Sequence, residues 1–370
     1  MSSHALVRQM FAGGNTSVGF HSFYNYIIGH DAARVIVIKG GPGVGKSTLM
    51  KYVGENMLSR GYDVELFHCS SDPESLDGVV FPGIGVALID GTAPHIVDPV
   101  FPGAVDEILY MGEYWDESAM RAARNQIVAC TKDVSRLFQR AYRFLRTASD
   151  VLDDWSEANA EGLDHGAANK VADTVIGDII GTANVADRPG AERHLFASAI
   201  TPAGFVNHLE TVVAACSRRY VVEGGPGSGK SRLITHAANR ALECGFDVEL
   251  FHCSLNPASL EHLIIPALGV AVITSVEPHQ WTIGNDDTLV DMAQCLDPAV
   301  VERNEKIIEY DRKLMNEAMG RAIFFLNQAR EMHDFLESFY VPNIDFDAVR
   351  ALRHRTLERI LRFAEETPRD

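Results

Sequence analysis

The chain has no Cys-x-x-Cys pair among its six cysteines (Cys69, Cys130, Cys216, Cys244, Cys253 and Cys295), so neither a zinc ribbon nor a disulfide scaffold is indicated. It also lacks a basic excess: 33 Lys+Arg stand against 50 Asp+Glu, a formal charge of −17. That balance argues against non-specific binding to nucleic acid or anionic membranes, both of which need a basic surface. Long apolar runs are missing too. The uncharged stretches Gly78–Ile89 and Leu263–Val276 both contain Gly and Pro, and both are shorter than the ~18 residues of a membrane helix. The N-terminal MSSHALVRQMFAGGN lacks the apolar centre of a signal peptide. What remains is an ordinary globular balance, 46% hydrophobic and 22% charged over 370 residues. It predicts a soluble, cytoplasmic protein of two or three domains, at about 100–200 residues each.

The chain is one unit written twice. GYDVELFHCSSDPESL from Gly61 and GFDVELFHCSLNPASL from Gly245 agree at 12 of 16 positions, at an offset of 184 residues. The same offset carries Gly40–Ser47 onto Gly224–Ser231, Pro82 onto Pro266, Gly85 onto Gly269, and Pro94-His95 onto Pro278-His279. With a one-residue shift, Phe11-Ala12 matches Phe196-Ala197. Two units are therefore expected, 1–186 and 187–370, with Asp187–Gly190 as the linker.

Each unit reads as strands alternating with helices, which predicts an α/β fold with mostly parallel sheets covered on both faces. A strand (Val7–Ala12; Leu195–Ile200) leads to a helix (Phe20–Ile28; Phe205–Ala215). A β-branched run follows (Arg34–Ile38; Tyr220–Val222), then a glycine loop and a helix (Ser47–Ser59; Ser231–Glu243). Two more strands are expected at Val64–Cys69 and Val86–Ile89, and at Val248–Cys253 and Val270–Ile273. Apolar residues at helical spacing after residue 116, and again after 299, predict a long helical hairpin in each unit, over 116–182 and 299–366.

Both glycine loops match G-x-x-x-x-G-K-[ST] between a strand and a helix, the context in which this pattern is most specific. Glycines let backbone N–H groups turn inward as an anion nest, and the helix N-terminus adds its positive end. The nucleotide-binding residues expected are Gly41, Pro42, Gly43, Val44, Gly45, Lys46, Ser47 and Thr48, and in the second unit Gly225, Pro226, Gly227, Ser228, Gly229, Lys230, Ser231 and Arg232. Lys46 and Lys230 are placed to reach the β- and γ-phosphates. Ser47, and more weakly Ser231, would bind Mg²⁺ through the hydroxyl.

On these residues the chain resembles the P-loop NTPase superfamily. GGPGSGK at 224–230 is also similar to the loop of adenylate-kinase-like enzymes, although Ser231-Arg232 follows the lysine where Gly-Thr is expected. The duplicated layout, with FHCS at 67–70, DGTAPH at 90–95 and GEYWD at 112–116, resembles a family of bacterial tandem P-loop ATP-binding proteins. That resemblance implies fold and ATP binding and carries no reaction with it.

Gly85–Asp90 reads as a strand of apolar residues ending in a metal-organising acid, so Asp90 is the second expected Mg²⁺ residue. The position 184 residues on is Thr274. The first unit therefore keeps the acid and the second keeps only the cradle. Asp77 becomes Glu261, so that carboxylate persists. His68 and Asp72 lie at or just past a strand end, where open α/β sheets place ligands, and are candidates to position an attacking water or an acceptor hydroxyl. The structural explanation beside that role makes Phe67 and Cys69 core residues and His68 a hydrogen-bonded strand-end residue. The position after Asp90 is Gly91, so any water-polarising acid must come from elsewhere, with Glu65 or Asp72 as candidates. His68, Cys69 and His95 carry no zinc-ligand spacing.

The expected function is a Mg²⁺-dependent ATPase with Lys46 and Asp90 at its hydrolysing site and a degenerate, regulatory nucleotide site in the second unit. A nucleotide or metabolite kinase is the alternative, with Arg121, Arg124, Arg136, Arg140 and Arg143 as candidate phosphate clamps. A non-hydrolysing nucleotide switch is the other. The expected ligands are ATP and Mg²⁺. A further small-molecule or protein partner could meet the helical hairpins, no membrane partner is expected, and the two units could form an intramolecular pseudo-dimer.

Overall fold

The computed structural model describes residues 5–29 and 31–366. The outermost residues of the two expected units, 1–4 and 367–370, lie outside the described residues. In the first half the elements are β1 (Val7–Met10), β2 (Gly13–Thr16), β3 (Gly19–Ser22), β4 (Arg34–Lys39), α1 (Lys46–Leu58), β5 (Val64–His68), β6 (Leu76–Phe81), β7 (Val86–Asp90) and β8 (Asp106–Tyr110). Helices α2 (Glu117–Ala122), α3 (Arg124–Ala160) and α4 (His165–Ile180) follow. The second half repeats them as β9 (Glu192–Leu195), β10 (Ser198–Thr201), β11 (Gly204–Asn207), α5 (Leu209–Val212), β12 (Arg218–Glu223), α6 (Lys230–Glu243), β13 (Val248–His252), β14 (Leu260–Ile265), β15 (Val270–Thr274) and β16 (Asp287–Asp291). It ends with α7 (Pro298–Tyr340) and α8 (Phe346–Glu366).

Two six-stranded sheets result, in the order β1-β5-β6-β7-β4-β8 and, equivalently, β9-β13-β14-β15-β12-β16. Each is mixed and mostly parallel. The strand before each glycine loop runs parallel to both its neighbours, and β6 and β14 are antiparallel to the strands on either side of them. Alternation on β4 shows how the two faces are used. Ile36 and Ile38 pack under α1, while Val35 and Val37 turn to a core shared with the second sheet. Both faces are covered, so a β-branched run is buried throughout, as the sequence predicts.

Several expectations change. The helices predicted at 20–28 and 205–215 are instead β3 and β11, the return strands of hairpins with β2 and β10, followed by one short helical turn each. Strands β6, β8, β14 and β16 were not expected at all. The long helices form where predicted, but they do not fold back on their own sequence neighbours. Helix α3 lies along α7, burying Ala141, Leu145 and Ala148 against Ala318, Ala322 and Leu326. Helix α4 crosses to the second sheet, where Ala172, Val175 and Ile179 join the core of α6. Helix α8 returns the exchange, with Leu352, Leu357 and Ile360 in the core of α1. The halves are thus swapped into each other about a pseudo-two-fold axis. Phe11 and Phe196 sit at that axis and exchange both backbone hydrogen bonds, at 2.9 and 3.0 Å.

Candidate functional site

Gly43 and Gly45 have φ of 67° and 90°, and Gly227 and Gly229 have φ of 78° and 95°. Only glycine adopts this region without strain, and the resulting turn delivers Lys46 and Lys230 as the first residues of α1 and α6. Lys46 Nζ donates to the Gly40 and Gly41 carbonyls at 3.1 and 3.0 Å and lies 3.5 Å from Asp90 Oδ2. Asp90 continues the face of β7 formed by Val86 and Leu88, the face covered by α1. Its other oxygen accepts from the Thr92 N–H at 2.9 Å and the Thr92 hydroxyl at 2.5 Å. Ser47 Oγ accepts from the Leu76 N–H at 3.0 Å, which ties the start of α1 to β6. The structure thus brings Lys46 beside Asp90, while the Ser47 hydroxyl is turned toward β6. Thr48 is exposed, as is Arg232 in the second loop.

Strand β6 adds a residue the sequence reading left without a role. Asp77 is 5% exposed; it accepts from the Tyr24 hydroxyl at 2.6 Å and stands 3.6 Å from His95 Nε2. Burial raises its pKa, and nearby Asp90 adds to the rise, against the opposing pull of His95 and the Tyr24 hydrogen bond. The Cys69 thiol also donates to Asp77, and burial and that carboxylate push its pKa well up, which disfavours the reactive thiolate. The persistence of a carboxylate at 77 and 261 was the signal for this residue. It was hidden because Asp77-Gly78 reads as a turn rather than a strand.

Two of the catalytic candidates stand elsewhere. His68 Nδ1 donates to the Pro73 carbonyl at 2.8 Å, and Nε2 lies 3.0 Å from the Gln9 side-chain amide. Its ring packs against His208 of the other half, with centroids 4.6 Å apart. His252 is its repeat-mate, and it packs in the same way against Phe23. The repeated FHCS motif thus carries rings that lie between the halves. Asp72 accepts from Ser75 Oγ at 2.7 Å and pairs with Arg330 of α7 at 2.9 Å. Glu65 belongs to a buried ring of charge with Arg8, Arg193 and Glu249. Of the candidate clamps, Arg121 and Arg136 pair with acids on their own helix surface, and Arg140 lies over the Phe325 ring.

The second loop repeats the cradle with a different floor. Lys230 Nζ donates to the Gly224 and Gly225 carbonyls, at 2.5 and 2.7 Å. Ser231 Oγ lies 2.9 Å from Ser259 Oγ. Thr274 stands where Asp90 stands in the first half, and its hydroxyl has no partner among the described residues. With no adjacent carboxylate to match Asp90, burial lowers the Lys230 pKa to about 8 against the weaker support of Glu261.

Each loop is covered by the opposite half. A Cβ on Gly41 would meet Tyr340 at 2.9 Å and one on Gly43 would meet Val341 at 2.7 Å, both at the end of α7. On Gly227 it would fall 2.1 Å from the Ser156 carbonyl near the end of α3, and Asn159 Nδ2 donates to the Pro226 carbonyl at 2.7 Å. Beside the first loop, a cavity of about 440 Å³ opens between Tyr114-Trp115 and Pro342–Asp345. Among the described residues no helix is long and apolar enough to cross a membrane. No family model, curated protein or solved structure matches the chain.

Proposed function

We propose that the protein binds ATP with Mg²⁺ at its first phosphate loop and hydrolyses it there, and that the second loop holds nucleotide without turning it over. The observation that carries this reading is the 3.5 Å approach of Lys46 Nζ to Asp90 at a loop whose Gly43 and Gly45 hold positive φ, the backbone an anion nest needs. Lys46 would leave its carbonyl partners for the β- and γ-phosphates and stabilise charge on the transferring phosphoryl group. Ser47 and Asp90 would hold Mg²⁺, and their oxygens form a donor set that suits a hard cation. When bound, the ion neutralises phosphate charge. Asp77, buried beside Asp90, takes the place of Glu65 and Asp72 as the nearest further carboxylate.

In the second half Thr274 removes the acid but leaves Lys230 and the nest, which supports binding without turnover. The test is nucleotide stoichiometry with single-turnover product analysis on the wild type, Lys46→Ala and Lys230→Ala. Two nucleotides per chain, with ADP and free phosphate formed and both lost only in Lys46→Ala, is the expected result. Label passing to a metabolite would replace the ATPase by a kinase, and no turnover at all would leave a switch.

A further inference from the structure

Asp77, Asp90 and His95 each turn a ligating atom toward the others, and those atoms all lie within 4.8 Å of one another. They come from three places in the fold, the start of β6, the end of β7 and the turn after it, and none is more than 9% exposed. We propose that these three side chains bind a divalent cation of the Mn²⁺ or Zn²⁺ kind, through two carboxylate oxygens and one imidazole nitrogen. The site shares Asp90 with the proposed Mg²⁺ position and differs from it in using Asp77 and His95 rather than Ser47. It needs no nucleotide.

The imidazole makes this more than a pair of acids. His95 is 7% exposed, yet its side chain makes no hydrogen bond among the described residues: Nδ1 has no partner, and Nε2 points at Asp77 Oδ1 across 3.6 Å. Its ring is held rigidly by stacking on Tyr24, with centroids 4.7 Å apart and planes 8° from parallel, which presents its edge to the carboxylates. A buried polar atom without a partner is uncommon; among the described residues His279 leaves both ring nitrogens without one, so what sets the first half apart is that the imidazole there meets two carboxylates. The spacing suits a metal: bonds of about 2.0–2.2 Å to N and O place neighbouring tetrahedral ligands about 3.4 Å apart. Charge points the same way. The hydrogen-bond donors to Asp77 are the neutral Tyr24 hydroxyl and Cys69 thiol, so among the described residues its charge is offset only by His95 when that ring is protonated, whereas Asp90 has Lys46.

Imidazole with carboxylates selects Mn²⁺, Fe²⁺ or Zn²⁺ over Mg²⁺, which prefers oxygen alone. The second half is an internal comparison. His279 Nε2 lies 3.5 Å from Glu261 Oε1, but Thr274 replaces the second carboxylate. Two ligands hold such a cation far more weakly than three, so the proposal requires one tight ion per chain.

The experiment uses the full chain, stripped of metal and free of nucleotide. Mn²⁺ is titrated and the free-ion electron paramagnetic resonance signal followed, with spin-echo modulation used to detect a coordinated ¹⁴N. One Mn²⁺ per chain is expected, with ¹⁴N coupling, displaced by Zn²⁺ but not by a tenfold excess of Mg²⁺. His95→Gln and Asp77→Asn should each weaken binding by more than about 100-fold, and His279→Gln should leave it unchanged. Should His95→Gln fail to fold, the ¹⁴N signal of the wild type, and its survival in His279→Gln, decides. The idea is overturned by absence of tight Mn²⁺ without nucleotide, by bound Mn²⁺ lacking ¹⁴N coupling, or by unaltered affinity in a folded His95→Gln. Because no nucleotide is present, Mn²⁺ binding with no ATP binding would sink the ATPase reading alone, and the reverse result would sink only the metal site.

Discussion

Lys230 is the first residue of α6, and burial lowers its pKa to about 8 from the ordinary 10.5. A base whose folded pKa is depressed resists folding while it must stay charged. The penalty is complete below about pH 8 and fades as the pH rises from there toward 10.5. It amounts to about 3 kcal/mol, one pKa unit being about 1.4 kcal/mol. Lys230→Met should therefore raise stability to denaturant below pH 8 and abolish the gain that the wild type shows between pH 8 and 10.5. A variant no more stable than wild type would mean that the ammonium is well solvated. His68 gives the opposite kind of prediction. Its two hydrogen bonds and its contact with the His208 ring are structural, so His68→Ala should lose about 2 kcal/mol of stability while single-turnover ATP cleavage stays within about threefold of wild type. A large fall in the cleavage rate of a folded variant would return His68 to the catalytic list.

At the scale of elements, the glycines of the two loops do more than turn the chain into a helix. They also let a helix end from the other half approach. Gly227 shows this most sharply, because a Cβ there would lie 2.1 Å from the Ser156 carbonyl and the residue has φ of 78°. Helical backbone cannot give way as a side-chain tip can, so Gly227→Ala should cost about 2 kcal/mol or more. Gly83→Ala, with nothing within 4 Å and no positive φ, should be close to neutral. Urea midpoints for the two variants check the contrast. Most of the elements were legible in the sequence, for identifiable reasons. β-Branched runs wrote β4 and β12, and the G-x-x-x-x-G-K-[ST] spacing wrote both loops. Strand β6 was not legible, because Leu76-Asp77-Gly78 carries a charge and a glycine where a core strand is expected, and it took the site's Asp77 with it. The aromatic spacing from Phe20 to Ile28 imitated a helix, but Gly19 at φ of 106° closes a hairpin, and tertiary packing overrides the local pattern. No periodicity says which neighbour an amphipathic helix will choose, so the exchange of α4 and α8 could not be read.

That exchange makes the whole molecule, rather than the half, the unit of folding. At its axis Arg8 and Arg193 close a ring with Glu65 and Glu249, each arginine contacting both acids. Burial opposes ionisation of Glu249, but Arg8 and Arg193 overcome it and hold its pKa below the ordinary 4.5. A carboxylate depressed in this way adds stability above its unfolded pKa and gives it up as the pH falls through the folded value. Acid unfolding below about pH 4.5 should thus be shallower in a ring-free variant, Arg8→Met/Arg193→Met/Glu65→Gln/Glu249→Gln, than in wild type. Arg193→Met alone strands buried charge and should cost about 3–5 kcal/mol. The swap itself makes the firmest demand. Cutting at Asp187–Gly190 leaves residues 1–186 without α8, so Val349, Leu352, Leu357 and Ile360 no longer cover α1. At about 2 kcal/mol per side chain the loss is on the order of 8 kcal/mol, comparable with the whole stability of a domain. Residues 1–186 and 187–370 expressed separately should each be unfolded or aggregated, whereas co-expression should yield a 1:1 complex with native circular dichroism. A fragment 1–186 that folds alone as a monomer would show that α4 can turn back onto its own sheet, and that the two halves merely touch.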